Sequence, residues 1–156
     1  MQTIKILAVG SLKQAWLKEA ESEYIRRISP LARVLLEEIP AVSPSATVTT
    51  RQSMAREGKK IVEKVAGAGM VVALDRRGET TTSLALAVLL KRAQDNGEKV
   101  IFVVGGAAGL DEDLLAGVST TISLSAMTFT HEWARVLLLE QVYRGLMINA
   151  GRDYHY

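Results

Sequence analysis

The sequence predicts an α/β fold, a mainly parallel sheet with helices packed against it. Three observations carry this. Short apolar runs suited to strands alternate with longer segments of helical period along the whole chain. One of those runs, VIFVV at 100–104, is apolar at every position, as expected of a strand covered on both faces. Two runs, within 100–109 and 122–131, empty into bare glycine or Ser/Thr backbone. Such exits, close in sequence, describe a small-molecule pocket at the carboxyl edge of a parallel sheet.

Thr3–Val9 reads as the first strand, closed by Gly10-Ser11. From Lys13 to Ser29, Trp16, Ala20, Tyr24 and Ile28 recur every fourth position and give one face of an amphipathic helix, which Pro30 stops. Arg33–Ile39 is a second strand, ended by Pro40, and the Ser/Thr-rich stretch to Thr50 is a loop. Thr50 or Ser53 caps a helix to about Ala66, with Met54, Ile61, Val62 and Val65 on its inner side. Its Arg51, Arg56, Lys59, Lys60 and Lys64, mixed with Glu57 and Glu63, form either a solvated face or part of an RNA-facing surface. Met70–Leu74 is a third strand, followed by a polar turn, Asp75-Arg76-Arg77-Gly78. Thr82 or Ser83 caps a helix that stops near Asn96-Gly97. Lys99–Val104 is the fourth strand, Asp111 caps a short helix to Gly117, and Thr121–Ser125 is the fifth strand. A long helix from about Glu132 ends the pattern. It is apolar on more than one side, which predicts a homodimer packed through it.

Composition narrows the function. At 156 residues the chain is expected to be one domain, 1–156, without internal repeats. A hydrophobic share of 48% and a charged share of 23% are ordinary for a soluble protein. The absence of cysteine excludes disulfides and thiolate metal sites and fits a cytoplasmic location. Two histidines, His131 and His155, are too few for a histidine-built metal centre, so no metal is expected. No run approaches the roughly 20 apolar residues that span a bilayer, and the N-terminus reads as a strand, not a signal peptide. A net charge of +2 permits nucleic-acid binding without arguing for it.

The glycine loop GGAAGLDED lacks the Gly-Lys-Ser/Thr ending of a phosphate-binding P-loop. Gly106 and Gly109 fit two positions of the dinucleotide fingerprint, but Val104 occupies the first. No acid lies between Asp113 and Glu132 to hold a ribose about 20 residues on. A nicotinamide enzyme is thus disfavoured, and a tight turn without a ligand remains open. Leu124–Phe129 is apolar and small, with hydroxyls but no charge, a wall able to hold an adenine through backbone groups. A buried strand end would look similar.

VVGGAAGLDEDL, then SLSAMTFTHEWARVLLLEQVYRG, then the tail with Tyr154-His155, together with IKILAVGSLK and EYIRRISP near the start, resemble the RlmH-type ribosomal RNA large-subunit methyltransferases of the SPOUT superfamily. The resemblance covers essentially the whole length. It implies a SPOUT-type α/β knot, whose C-terminal part forms a trefoil knot, a rare device that composition does not reveal. It also implies a homodimer that uses S-adenosylmethionine to methylate N3 of a pseudouridine in large-subunit ribosomal RNA, on the assembled ribosome. Matched residue by residue, the cofactor contacts fall at Leu74, Gly105, Leu124, Ser125, Ala126, Met127, Thr128 and Phe129. Relatives often carry Pro at the place of Thr130 and a polar pair at Ala107-Ala108. They commonly place a basic residue after the final His, where this chain has Tyr156.

The imide N3 must lose a proton before it attacks a methyl group, a task suited to a base of near-neutral pKa. His155 is the expected base, and Tyr154 is expected to stack on a nucleobase. His131 is expected to brace the cofactor loop. Arg135 and Arg144 are read as ion-pair partners, with contact to phosphate as the alternative. A non-catalytic RNA-binding or ribosome-assembly protein of the same fold is the competing functional class.

Overall fold

A computed structural model describes residues 1–67 and 69–154. Five strands, β1 (Thr3–Val9), β2 (Arg33–Ile39), β3 (Met70–Thr80), β4 (Val100–Val104) and β5 (Thr120–Ser123), form one sheet in the order β2-β1-β4-β3-β5. Every pairing is parallel, as the strand–helix alternation requires. The helices are α1 (Ala15–Ile28), α2 (Thr50–Val65), α3 (Ser83–Asp95), α4 (Glu112–Gly117) and α5 (His131–Asn149).

β4 shows how the layers arise. All five of its residues are buried, and successive side chains leave opposite faces of the sheet. Val100, Phe102 and Val104 enter a core with Ile28 of α1, Leu86 and Leu90 of α3, and Leu138, Leu139 and Val142 of α5. Ile101 and Val103 enter the opposite core with Ile61 of α2 and Leu114 of α4. The result is a three-layer sandwich. Phe102 is fully buried at its centre, and truncating such a ring to Ala typically costs about 3–5 kcal/mol.

Local signals set the helix starts. Thr49, one residue earlier than expected, caps α2: its hydroxyl accepts from the Gln52 N–H at 3.2 Å, and the Gln52 side-chain oxygen Oε1 accepts from the Thr49 N–H at 2.8 Å. Thr82 and Asp111 cap α3 and α4 as the sequence indicates.

Three expectations need correction. β3 does not stop at Leu74 but continues to Thr80, so Asp75–Gly78 is not a turn at a strand exit. Both Leu74 and Glu79 pair with Ile122 across a register shift, so the strand bulges and then takes up β5 again. Gly78 makes this possible, because a Cβ there would come within 2.8 Å of the Ile122 main chain. Second, most of the apolar surface of α5, Trp133 excepted, is covered within the chain: α5 lies between α1 and α3 on the sheet. Its girth is therefore no argument for a partner. Third, α1 turns Leu17, Glu21 and Ile28 inward, leaving Trp16 48% exposed, and Val62 of α2 is likewise exposed.

Candidate active site

β3 lies between β4 and β5, so the carboxyl ends of β4 and β5 and the bulge of β3 after Leu74 share one edge of the sheet. Register sets Leu74 opposite both Val104 and Ile122. Beyond them opens a cavity of about 700 Å³, within the range that takes a drug-sized ligand. Leu74, Gly105, Leu124, Ser125, Met127, Thr128 and Phe129 line it; Ala126 does not. Tyr154 is not on its wall either, and His155 lies outside the described residues.

The glycine loop is shaped by its own packing. A Cβ on Gly105 would come within 2.8 Å of the Gly109 carbonyl carbon, and Gly109 itself has a φ of +91°. The Gly109 N–H closes the turn on the Gly106 carbonyl at 3.0 Å. These glycines would be needed even without a ligand.

The second exit is folded by its hydroxyls. The Ser123 hydroxyl donates to the Ser125 carbonyl at 2.9 Å, and the Met127 N–H donates to the Ser125 hydroxyl at 3.0 Å. Thr130 then caps α5, its hydroxyl accepting from the Trp133 N–H at 3.4 Å. Where relatives were expected to carry Pro, this chain thus starts the helix with a side-chain acceptor. Apart from the Met127 N–H, the main chain of residues 126–129 makes no hydrogen bond among the described residues.

Sequence reasoning missed the opposite wall. Gln14, Trp16 and Leu17, from the start of α1 and the residue before it, line the cavity together with Met54 of α2, Arg76, Arg77 and Trp133. No glycine or motif marks Gln14, Trp16, Leu17 or Met54; the fold alone assembles them. Trp16 and Trp133 meet at a ring separation of 5.2 Å, tilted by 54°. With Met127 and Phe129 they form an exposed apolar collar at the cavity mouth.

Ionic contacts hold this wall in place. The Lys13 N–H donates to the Glu132 carboxylate at 2.9 Å, fixing the connection before α1 against the first turn of α5. One turn on, Arg135 is 3% exposed and pairs with Glu21 of α1 and, at 2.8 Å, with Glu38 of β2. Its guanidinium also reaches the Gly10 carbonyl at 3.4 Å. Asp75 accepts from both the Arg77 side chain and the Arg77 N–H at 2.9 Å. Burial pushes the Asp75 carboxyl up, but these contacts outweigh it and hold the group below its ordinary value. His131 lines the cavity, half-buried.

The tail docks elsewhere. Arg144 pairs with Glu140 at 2.6 Å, as the ion-pair reading expects, and donates to the Tyr154 carbonyl at 2.8 Å. Its guanidinium stacks 4.7 Å from the Tyr154 ring, which also meets Tyr143 edge-on at 4.7 Å. Tyr143 lies about 15 Å along α5 from Trp133 at the helical rise, so Tyr154 is held well away from the cavity.

A parallel α/β sheet whose adjacent strand exits meet at one pocket defines, as a class, an α/β protein built to hold a small molecule at its topological edge. No helix among the described residues is long and apolar enough to cross a membrane, and no cluster of three or more metal-ligating side chains occurs among them. A family model described as "Predicted SPOUT methyltransferase" matches residues 1–155. The chain is 40% identical over 152 residues to the ribosomal RNA large subunit methyltransferase H of Neisseria meningitidis, covering 97% of each. It is 39% identical over 150 residues to the protein of the same name from Herminiimonas arsenicoxydans, covering 96% of each. A solved probable methyltransferase from Bordetella pertussis shares the fold, with a TM-score of 0.61 at 16% identity over 93% of this chain and 95% of that one. The chain belongs to the SPOUT methyltransferase family and is an enzyme of that class.

Proposed function

We propose that this methyltransferase uses S-adenosylmethionine to methylate N3 of a pseudouridine in large-subunit ribosomal RNA, acting on the assembled ribosome in the cytoplasm as a homodimer of single-domain chains. The observation that carries the reading is the meeting of the β3 bulge at Leu74 with the exits of β4 and β5, at Gly105 and Leu124, in one cavity. The relatives named as ribosomal RNA methyltransferases supply the substrate class.

The cavity fits such a donor on its own terms. Leu74, Val104, Ile122 and Leu124 offer an apolar slot. Apart from the Met127 N–H, the main chain of residues 126–129 is unpaired among the described residues and offers donors and acceptors without a salt bridge. When bound, S-adenosylmethionine supplies a methyl group already activated on a sulfonium. The residues that would hold it are Leu74, Gly105 and Leu124–Phe129, with Ala126 contributing main chain.

The work left to the chain is to place the base and remove its N3 proton. His155 takes that proton, and Tyr154 stacks on the target base. Tyr154 is docked on the far half of α5, which supports a site completed by the partner's tail. The apolar collar of Trp16, Met127, Phe129 and Trp133 offers contact surface beside the mouth. The match to the SPOUT family model is what supports a knotted C-terminal region.

Transfer of labelled methyl from S-adenosylmethionine to ribosomes tests the reading. Wild type labels large-subunit RNA; His155→Ala binds the donor in calorimetry and labels little. Wild type that binds the donor but labels no free RNA, subunit or ribosome overturns the assignment.

A further inference from the structure

Five charged or ionisable side chains line the cavity: Asp75, Arg76, Arg77, His131 and Glu132. Three are committed within the chain. Asp75 and Arg77 hold each other, Arg77 also reaches Glu112 at 3.4 Å, and Glu132 accepts from the Lys13 N–H. Arg76 is different. It is exposed, it lies on the cavity wall, and among the described residues it makes no ion pair or side-chain hydrogen bond.

Its backbone is nevertheless fixed from both sides. On one side Asp75, with a side chain only 7% exposed, is clipped to Arg77. On the other, Gly78 is pressed against the Ile122 main chain, and Glu79 rejoins the sheet. An uncommitted guanidinium on a rigid mount loses less freedom on binding than one on a loose loop. It also presents a planar fork of donors matched to an anionic oxygen pair.

We infer that Arg76 is a substrate-positioning residue that takes a phosphate of the RNA backbone next to the target nucleotide at the cavity mouth. The inference rests on the RNA-methyltransferase reading above and adds to it the residue that registers the strand over the site. Its neighbour Arg77 is the structural counterpart, spent on Asp75 and Glu112. A phosphate is favoured over a base edge because contact to the backbone fixes register without reading sequence.

The test compares wild type, Arg76→Ala and Arg76→Lys, with ribosomes as substrate over a range of salt and with calorimetry for S-adenosylmethionine. Arg76→Ala is expected to keep donor affinity and kcat while KM for ribosomes rises roughly tenfold, the scale of one lost charge-assisted hydrogen bond. The slope of log kcat/KM against log salt is expected to flatten by about 0.7–0.9, the value of one phosphate contact. Arg76→Lys keeps the charge and restores most of that slope. An unchanged slope in Arg76→Ala overturns the inference. So does a loss of donor affinity, which would assign the guanidinium to the carboxylate of the methyl donor. A fall in kcat with KM unchanged also overturns it, since that marks stabilisation of the deprotonated imide. Failure of wild type to methylate ribosomes would be seen first and would sink the underlying reading instead.

Discussion

Gly78 and Ile122 approach so closely that a single added methyl on Gly78 would sit 2.8 Å from the Ile122 backbone. The contact lets β3 bulge away from β5 after Leu74 and rejoin it at Glu79, carrying Asp75, Arg76 and Arg77 past the cavity on the way. Because the obstacle is main chain, it has no rotamer to escape into. Gly78→Ala should destabilise the fold by about 1–3 kcal/mol, the usual range for overpacking. It should also weaken donor binding, and denaturant melts with calorimetry read both. Wild-type stability in this variant would mean that β3 and β5 separate easily.

Arg135 is the other point where the site depends on something distant. It is buried and joined to Glu21, Glu38 and the Gly10 carbonyl, so α5, α1 and the end of β1 are tied one turn from the cavity wall. Arg135→Met should cost about 3–5 kcal/mol, because Glu21 is left buried without its counter-charge. Glu21→Met together with Arg135→Met should recover much of that loss. Urea unfolding of the single and double variants measures the coupling.

Asp75 gives a pH signature. Its carboxyl is held below the ordinary 3.8, so the folded state favours the charged form. That stabilisation is complete above the unfolded value and is lost as pH falls through the lowered one. The stability gap between wild type and Asp75→Asn should be constant from about pH 5 to 8 and shrink below about pH 4. A gap that instead widens in acid would contradict the Arg77 clip.

Thr130 starts the helix on which Trp133 and Arg135 are mounted. Thr130→Ala should cost about 1 kcal/mol as the Trp133 N–H loses its acceptor. Thr130→Ser should be near neutral. Thermal melts of the two variants distinguish the cap from the methyl group.

Where sequence signals are local, the chain declares its structure plainly. Thr3–Val9 is followed by Gly10 and Arg33–Ile39 by Pro40, and both strands end where those residues say. The Ser-x-Ser bend and the Gly105–Gly109 turn likewise announced half of the cavity. What stayed hidden depends on partners far away in the chain. Residues 75–78 look like a turn because they are polar, and only the pairing of Glu79 and Thr80 with Ile122 and Ser123 carries the strand past them. Glu21 looks like a solvent residue, yet it faces inward because Arg135 arrives 114 positions later. The apolar period on α1 picked out Trp16 as core for the same reason: counting hydrophobic residues ignores a buried ion pair. Gln14, Trp16 and Leu17 form a cavity wall that no motif marks.

The tryptophan pair has an optical consequence. The chain contains two indoles, Trp16 and Trp133, and both stand at the lip of the cavity within 5.2 Å of each other. Ultraviolet emission from the unlabelled protein therefore originates almost wholly at that lip. Anything entering the cavity, or closing over it, alters the quenching of the whole molecule's glow without a dye or an added reporter.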